Sequence, residues 1–198
     1  MNKQRTDWSS VGSIARMETL VHAALLNATR GLSEFLELPI TTGTPQARVI
    51  RFGEMFQDIG DPESETVGVY LRMKGALSGQ AILILPLTSA LRIADLLMGT
   101  PPGTSSGLND VERSALGEAG HIMVSYFLNA MYTLTGKPLR PSTPAVMVDM
   151  LGAVLNVLAT TVGELRDDLM IIELMFQNSE SLIEGRFWVL PDLVSQFQ

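Results

Sequence analysis

The 198-residue chain contains no cysteine. That absence excludes disulfide bonds, thiolate metal sites and cysteine nucleophiles together, and it suits a reducing cytosol, the expected location. Histidine is nearly as scarce, with two copies, His22 and His121. Two histidines on separate helices, without a convergent set of carboxylates, match neither zinc nor non-haem iron spacing, so no bound metal is expected. Charged residues make up only 18% of the chain, and the formal net charge is −7. With no clustered basic patch, neither nucleic acid nor an anionic membrane surface is an expected partner. No run reaches 18 uninterrupted apolar residues, so no membrane-spanning helix is expected. The opening MNKQRTDWSS has no apolar run behind its basic residues and does not read as a secretion signal. A G-x-S-x-G nucleophile elbow, a phosphate loop and a dinucleotide fingerprint are all missing as well.

What remains is 46% hydrophobic, ample for a core at this length. Residues 1–10 are polar and expected to be flexible. A helical pattern runs from about Ser13 to Leu38 and is followed by Pro39. ARVIRF (47–52) alternates as a strand does, and FGEMFQDIGDPESE reads as a loop. TVGVYLRMKG and LSGQAILILP form two strands of a hairpin around Lys74 and Gly75. LTSALRIADLLMG is a helix stopped at Gly99. GTPPGTSSG then reads as a linker. After it the order begins again: a long helix from about Asn109 to Thr135, a proline-bearing loop, the strand AVMVDM, a short helix near 151–161, and the strands DLMIIELMF and IEGRFWVLP.

The two halves repeat at residue level. His22 and His121 are 99 positions apart, and so are Pro45 and Pro144. The expected fold is therefore α+β: a single domain over 11–198 made of two pseudo-symmetric halves, about 13–99 and 109–192. A central, mainly antiparallel β-sheet would carry the two long helices on one face.

The second long helix is sharply two-faced. At about 100° per residue, Asp110, Ser114, Glu118, His121, Ser125, Asn129 and Tyr132 share an arc of about 100°. Leu116, Ala119, Met123, Phe127, Ala130 and Leu134 lie opposite. Glu118 and His121 thus point the same way, close enough for one partner surface to meet both. From the residues alone the ordinary reading of this stripe is a solvated helix face, with a working pair as the alternative.

A longer pattern bears on that choice. SALGEAGHI…YFLNAMYTLTGKPLRPSTPAVMVDMLGAVL resembles the second signature segment of the CheC family, phosphatases of phosphorylated CheY in chemotaxis. That family shares with CheX and FliY a pattern of Ser or Asp, three residues, Glu, two residues, Asn, twenty-two residues and Pro. Ser114, Glu118, His121 and Pro144 hold those places, with His where the family has Asn. LLNATRGLSEFLELPI resembles the first signature segment, whose places hold Ala15, Thr19, His22 and Pro45. The first copy thus lacks the Glu as well as the Asn, and Glu18 stands one position off, about 100° around the helix. VGVYLRMKGALSGQAILILPLTSALRIADLLMG is similar to the family's central hairpin and helix.

The resemblance implies a protein partner: the phosphorylated receiver domain of a CheY-type response regulator, which brings its own Mg²⁺ and a lysine. No cofactor bound by this chain is implied. Glu118 would pair with the receiver's lysine and His121 would orient the attacking water, forming the catalytic pair. Ser114 and Ser125 would contact the receiver, Pro45 and Pro144 would be structural, and Thr19 with His22 would form a degenerate first site. The same resemblance admits a non-catalytic module that binds the phosphorylated receiver, or the deamidase CheD that some members partner, without hydrolysis.

Overall fold

In the computed structural model, residues 11–51, 59–75, 78–163, 168–180 and 182–192 are described. The expected flexible stretch 1–10 and much of the loop expected after residue 52 lie outside them. Helix α1 spans Val11–Leu36 and is followed by strands β1 (Ile40–Thr42), β2 (Gln46–Arg51), β3 (Glu65–Gly75) and β4 (Gly79–Pro86). Helix α2 is Leu87–Met98 and α3 is Asp110–Thr135; β5 (Leu139–Pro141), β6 (Ala145–Met150), α4 (Leu151–Gly163), β7 (Asp168–Asn178) and β8 (Glu184–Pro191) complete the order.

The strands form one antiparallel sheet with β8 and β4 at its centre. β7 flanks β8 and carries β1 and β2 on its outer side; β3 flanks β4 and carries β5 and β6. Each half therefore lends its first strands to the other half's hairpin. α1, β1 and β2 start 99 positions before α3, β5 and β6 (110 − 11, 139 − 40 and 145 − 46), and both long helices have 26 residues. Ile82 faces Trp188 in the middle of the central strand pair.

Alternation along the strands sends two sets of apolar side chains to opposite faces. Val67, Val69, Leu83, Leu85, Leu174 and Phe187 meet Leu25 and Leu32 of α1 and Leu116, Met123 and Phe127 of α3. Phe127 and Phe187 pack edge to face, with centroids 6.2 Å apart. The two long helices thus share one face, as expected. The opposite face carries Ile82, Ile84, Trp188 and Leu190, covered by Val154, Leu155 and Leu158 of the short helix α4. Gly68 makes that approach possible, since a Cβ there would stand 2.7 Å from Val154. The Tyr70 hydroxyl donates to the Val154 carbonyl.

α1 and α3 are pinned to each other around Tyr126. Gly31 leaves room for its ring, which a Cβ would meet at 2.5 Å. Asn27 Nδ2 donates to the Tyr126 carbonyl at 2.7 Å, and the Tyr126 hydroxyl donates to Glu34 at 2.6 Å. That carboxylate, as acceptor and as a negative charge, pushes the phenol's pKa up. α1 stops two residues before the boundary expected at Leu38. Glu37 turns left-handed (φ 51°), and Ser33 takes over the last turn, its carbonyl accepting from the Leu38 N–H and its hydroxyl donating to the Leu38 carbonyl.

The linker-like stretch after Gly99 is a built connection. The buried carboxylate of Asp95 accepts the backbone N–H groups of Gly103 (2.7 Å), Thr104 (3.2 Å) and Ser105 (2.9 Å). Hydrogen bonding from the Ser105 side chain and from these backbone groups holds its carboxyl below the usual range, against the opposing pull of burial.

Candidate functional site

α3 begins on a capping box. Asn109 Oδ1 accepts from the N–H groups of Val111 (2.9 Å) and Glu112 (3.1 Å), and the Glu112 carboxylate accepts the Asn109 N–H at 2.7 Å. The other Glu112 oxygen accepts the Ser105 hydroxyl at 2.7 Å, tying the Asp95-bound loop to the start of the helix. Gly136, left-handed at φ 65°, closes the far end and donates its N–H to Tyr132 O at 2.7 Å. Between these ends, Gly120 seats α3 on the sheet: a Cβ there would stand 2.6 Å from Val69 Cγ1. The helix is capped and closely packed, so the side chains on its outer face are held on a firm support.

That outer face carries the stripe. Asp110, Ser114, Glu118, Asn129 and Tyr132 are exposed, and His121 and Ser125 are partly so. Leu116, Ala119, Met123 and Phe127 are fully buried on the other side. Val111, 63% exposed, lies about 20° from the Glu118 meridian by the helical repeat and belongs to the stripe too. Glu118 is 55% exposed and His121 38% exposed, with His121 Nδ1 3.7 Å from Glu118 Oε2. The gap is that of an ion pair when the imidazole is protonated. With Nδ1 turned to the carboxylate, Nε2 is the nitrogen left for another partner.

The other sequence-predicted residues fall around this pair. Ser114 lies about one turn before Glu118, and its hydroxyl donates back to the Asp110 carbonyl at 2.8 Å. Ser125 lies about one turn beyond His121. Pro144 rests against the helix where Gly117 leaves room; a Cβ at Gly117 would stand 3.4 Å from the proline Cγ. In the first copy, Thr19 and His22 are exposed on α1 and Pro45 is half-buried. The side chain of Ala15 lies outside the described residues. The position matching Gly117 holds Glu18, and the position matching Gly120 holds the buried Val21.

Sequence reasoning missed the support behind the stripe. The capping box is readable in N-D-V-E at 109–112. The role of Asp95 is not, because its N–H donors lie eight to ten positions ahead in a stretch that resembles a flexible linker. Among the described residues, no group of three or more His, Asp or Glu is placed to hold a metal ion, and no helix is long and apolar enough to cross a membrane.

No protein-family model matches the chain. Over 170 residues it is 26% identical to the CheY-P phosphatase CheC of Bacillus subtilis, covering 84% of this chain and 81% of that protein. The fold superposes on FliY of Thermotoga maritima with a TM-score of 0.66 and 22% identity, over 91% of this chain and 90% of that one. It also matches a CheX–CheY–BeF₃–Mg²⁺ complex from Borrelia burgdorferi, with a TM-score of 0.57 and 16% identity over 85% of this chain and 96% of the matched one. The sequence likeness to CheC, the two-half α+β architecture and the spacing of Ser114, Glu118, His121 and Pro144 point one way: the chain is similar to the CheC family over most of its length.

Proposed function

We propose that this protein docks through the outer face of α3 on the phosphorylated receiver domain of a CheY-type regulator and hydrolyses its aspartyl phosphate. The observation that carries the reading is the exposed Glu118–His121 pair, 3.7 Å apart on one face of a capped helix. Phosphoryl transfer needs little covalent help, so an enzyme of this kind works by positioning. Glu118 pairs with a lysine of the receiver and sets the register. Neutral His121 then accepts a hydrogen bond from a water through Nε2 and holds it in line with the acyl phosphate. The water oxygen bonds to phosphorus as the bond to the aspartate oxygen breaks. The carboxylate is regenerated, and the water's proton passes through the imidazole to solvent. The metal that this chemistry uses is the receiver's own Mg²⁺.

One observation favours a second reading. His stands where the family has Asn, in both copies, and an imidazole reaches differently from a carboxamide. A module that binds the phosphorylated receiver, or CheD, without hydrolysis would tolerate that change more easily than an enzyme.

The test is the decay of a phosphorylated receiver with and without the protein. Acceleration that Glu118→Ala and His121→Ala both abolish supports the enzyme. Unaccelerated decay together with tight, phosphorylation-dependent binding establishes the binder. His121→Asn measures how far the native imidazole departs from the amide: a large gain means that the histidine limits turnover.

A further inference from the structure

The chain has no run of basic residues, but folding gathers three of them. Tyr70 of β3 donates its hydroxyl to the Val154 carbonyl of α4, on the face of the sheet opposite α1 and α3. Alternate residues of a strand share a face, so Arg72 and Lys74 lie on that side too, while Leu71 and Met73 enter the core under the long helices. Arg140 of β5 stands directly across from Lys74 in the antiparallel register, although 66 positions (140 − 74) separate them. All three side chains are exposed. Like charges directly opposite each other across a strand pair are destabilising, so the fold gains nothing from this arrangement.

The surroundings supply no acid to relieve it. Among the described residues, Arg72, Lys74 and Arg140 make no side-chain ion pair or hydrogen bond. Gln80 faces Arg72 from the other neighbouring strand. α4 holds no charged residue, and α3 holds no acid after Glu118. Asp192, whose N–H donates to the Ser78 carbonyl, lies two strands from Lys74, about 10 Å away at the ordinary strand spacing. The backbone beneath the three cations is firmly held. The Arg72 N–H donates to Ser142 Oγ at 2.9 Å, and the Ser142 N–H donates to the Arg72 carbonyl at 2.8 Å. Gly75 lets β3 meet the start of β5, since a Cβ there would collide with the Pro138 carbonyl oxygen.

The same geometry selects the kind of partner. β5 ends the sheet, and Pro138, Pro141 and Pro144 punctuate that edge with residues that have no N–H, so an incoming strand finds no continuous ladder there. Contact therefore goes through the side chains. Duplex binders engage about 6–10 phosphates, and lipid-binding clusters hold about 4–8 cations. Three cations on a chain whose remaining formal charge is −10 (−7 − 3) suit neither extended polyanion. They suit a few carboxylates carried close together.

We infer that Arg72, Lys74 and Arg140 form a docking surface for a short acidic segment of a partner protein. This surface lies on the opposite face of the sheet from α3, so it and the α3 stripe can be occupied at once.

The experiment follows the fluorescence anisotropy of a labelled hexaglutamate peptide as the whole protein is added, with hexaserine as the uncharged control. Vesicles of phosphatidylserine and phosphatidylcholine test a lipid surface by co-sedimentation. The expected result is saturable binding of hexaglutamate that weakens as salt rises. The triple variant Arg72→Gln/Lys74→Gln/Arg140→Gln should weaken it about tenfold, the scale of three exposed ion pairs lost together. Glu118→Ala should leave it unchanged. No saturable binding at about 1 mM protein, equal binding of hexaserine, or undiminished binding by the triple variant overturns the inference. Binding to the vesicles without binding to hexaglutamate also overturns it and makes the surface a membrane site. Should the triple variant fail to fold, Lys74→Glu decides alone: undiminished binding by that variant overturns the inference.

Discussion

α1 and α3 have the same length, fall on the same repeat and pack into the same core, yet their outer faces have diverged. Along α3 the stripe holds Ser114, Glu118, His121, Ser125 and Asn129; the matching places on α1 hold Ala15, Thr19, His22, Leu26 and Arg30. α3 therefore offers an acid and no cation, while α1 offers a cation and no acid. Arg30 is itself engaged, 3.4 Å from Glu34 and over the Tyr126 ring at 5.8 Å. The sequences also differ at the positions of the α3 seat, where Gly117 and Gly120 are matched by Glu18 and the buried Val21. α3 opens with Asp110 and Glu112 in its first turn, which suits the helix dipole; α1 has no acid there. An acid able to meet a lysine coincides with the helix that is capped by a box and seated on glycine. Presentation and support have been kept together in one half.

The sharpest way to break this comparison is to move the acid. Glu118→Ala should slow receiver dephosphorylation about 10²-fold, the scale at which lost positioning is felt. Adding Thr19→Glu to that variant places the acid at the matching position of α1, and less than a tenth of the lost activity should return. Full recovery in a phosphorylated-receiver decay assay would mean that the two helices are interchangeable and that the support behind α3 is irrelevant.

The second test concerns the seat. Gly120→Ala would gain about 1 kcal/mol of helix propensity, but overpacking costs about 1–3 kcal/mol. The clash should win, because the atom met at 2.6 Å belongs to a β-branched valine in a buried strand. A net loss of about 1 kcal/mol lowers Tm by about 2–4 °C in a chain of this size. Gly117→Ala, whose nearest neighbour would be Val146 at 3.3 Å, should cost less. Unfolding in urea for both variants reads the order directly, and an unchanged or raised midpoint for Gly120→Ala contradicts the close seating.

Much of this scaffold is legible in the residues because local rules set its boundaries. AVMVDM, read as the strand after the proline-bearing loop, coincides with β6 at 145–150; Gly99 stops α2 in the left-handed conformation expected of it. The 99-residue offset of the two histidines and two prolines marks the same repeat as the matching element starts. The stripe follows from helical periodicity, whereas the roles given to Glu118 and His121 come from the family spacing and not from composition. What local rules do not carry is pairing at long range. Arg48 and Glu173 are 125 positions apart, and they meet only because β2 joins the other half's hairpin. The side of the sheet that α4 covers is hidden for the same reason, since its apolar face would suit either side until Gly68 and Tyr70 are placed beneath it.

The smallest effect tests whether the loop before α3 belongs to its support. Asp95 accepts three backbone N–H groups there, and its carboxyl is held below the ordinary value of 3.8. A group whose pKa is depressed on folding contributes stability above its unfolded pKa and loses it as pH falls through the folded one. Asp95→Asn keeps the shape but replaces one acceptor with a donor that faces backbone N–H groups. The variant should therefore melt below the native protein at pH 7, and the gap should narrow as the pH falls below 3.8, where the unfolded chain takes up a proton that the folded carboxylate resists. Comparing the two proteins at each pH cancels the titration of the other acids. A gap that stays constant from pH 7 to pH 3 would detach the loop's contribution from charge altogether and leave α3's start to the capping box and the Ser105–Glu112 hydrogen bond.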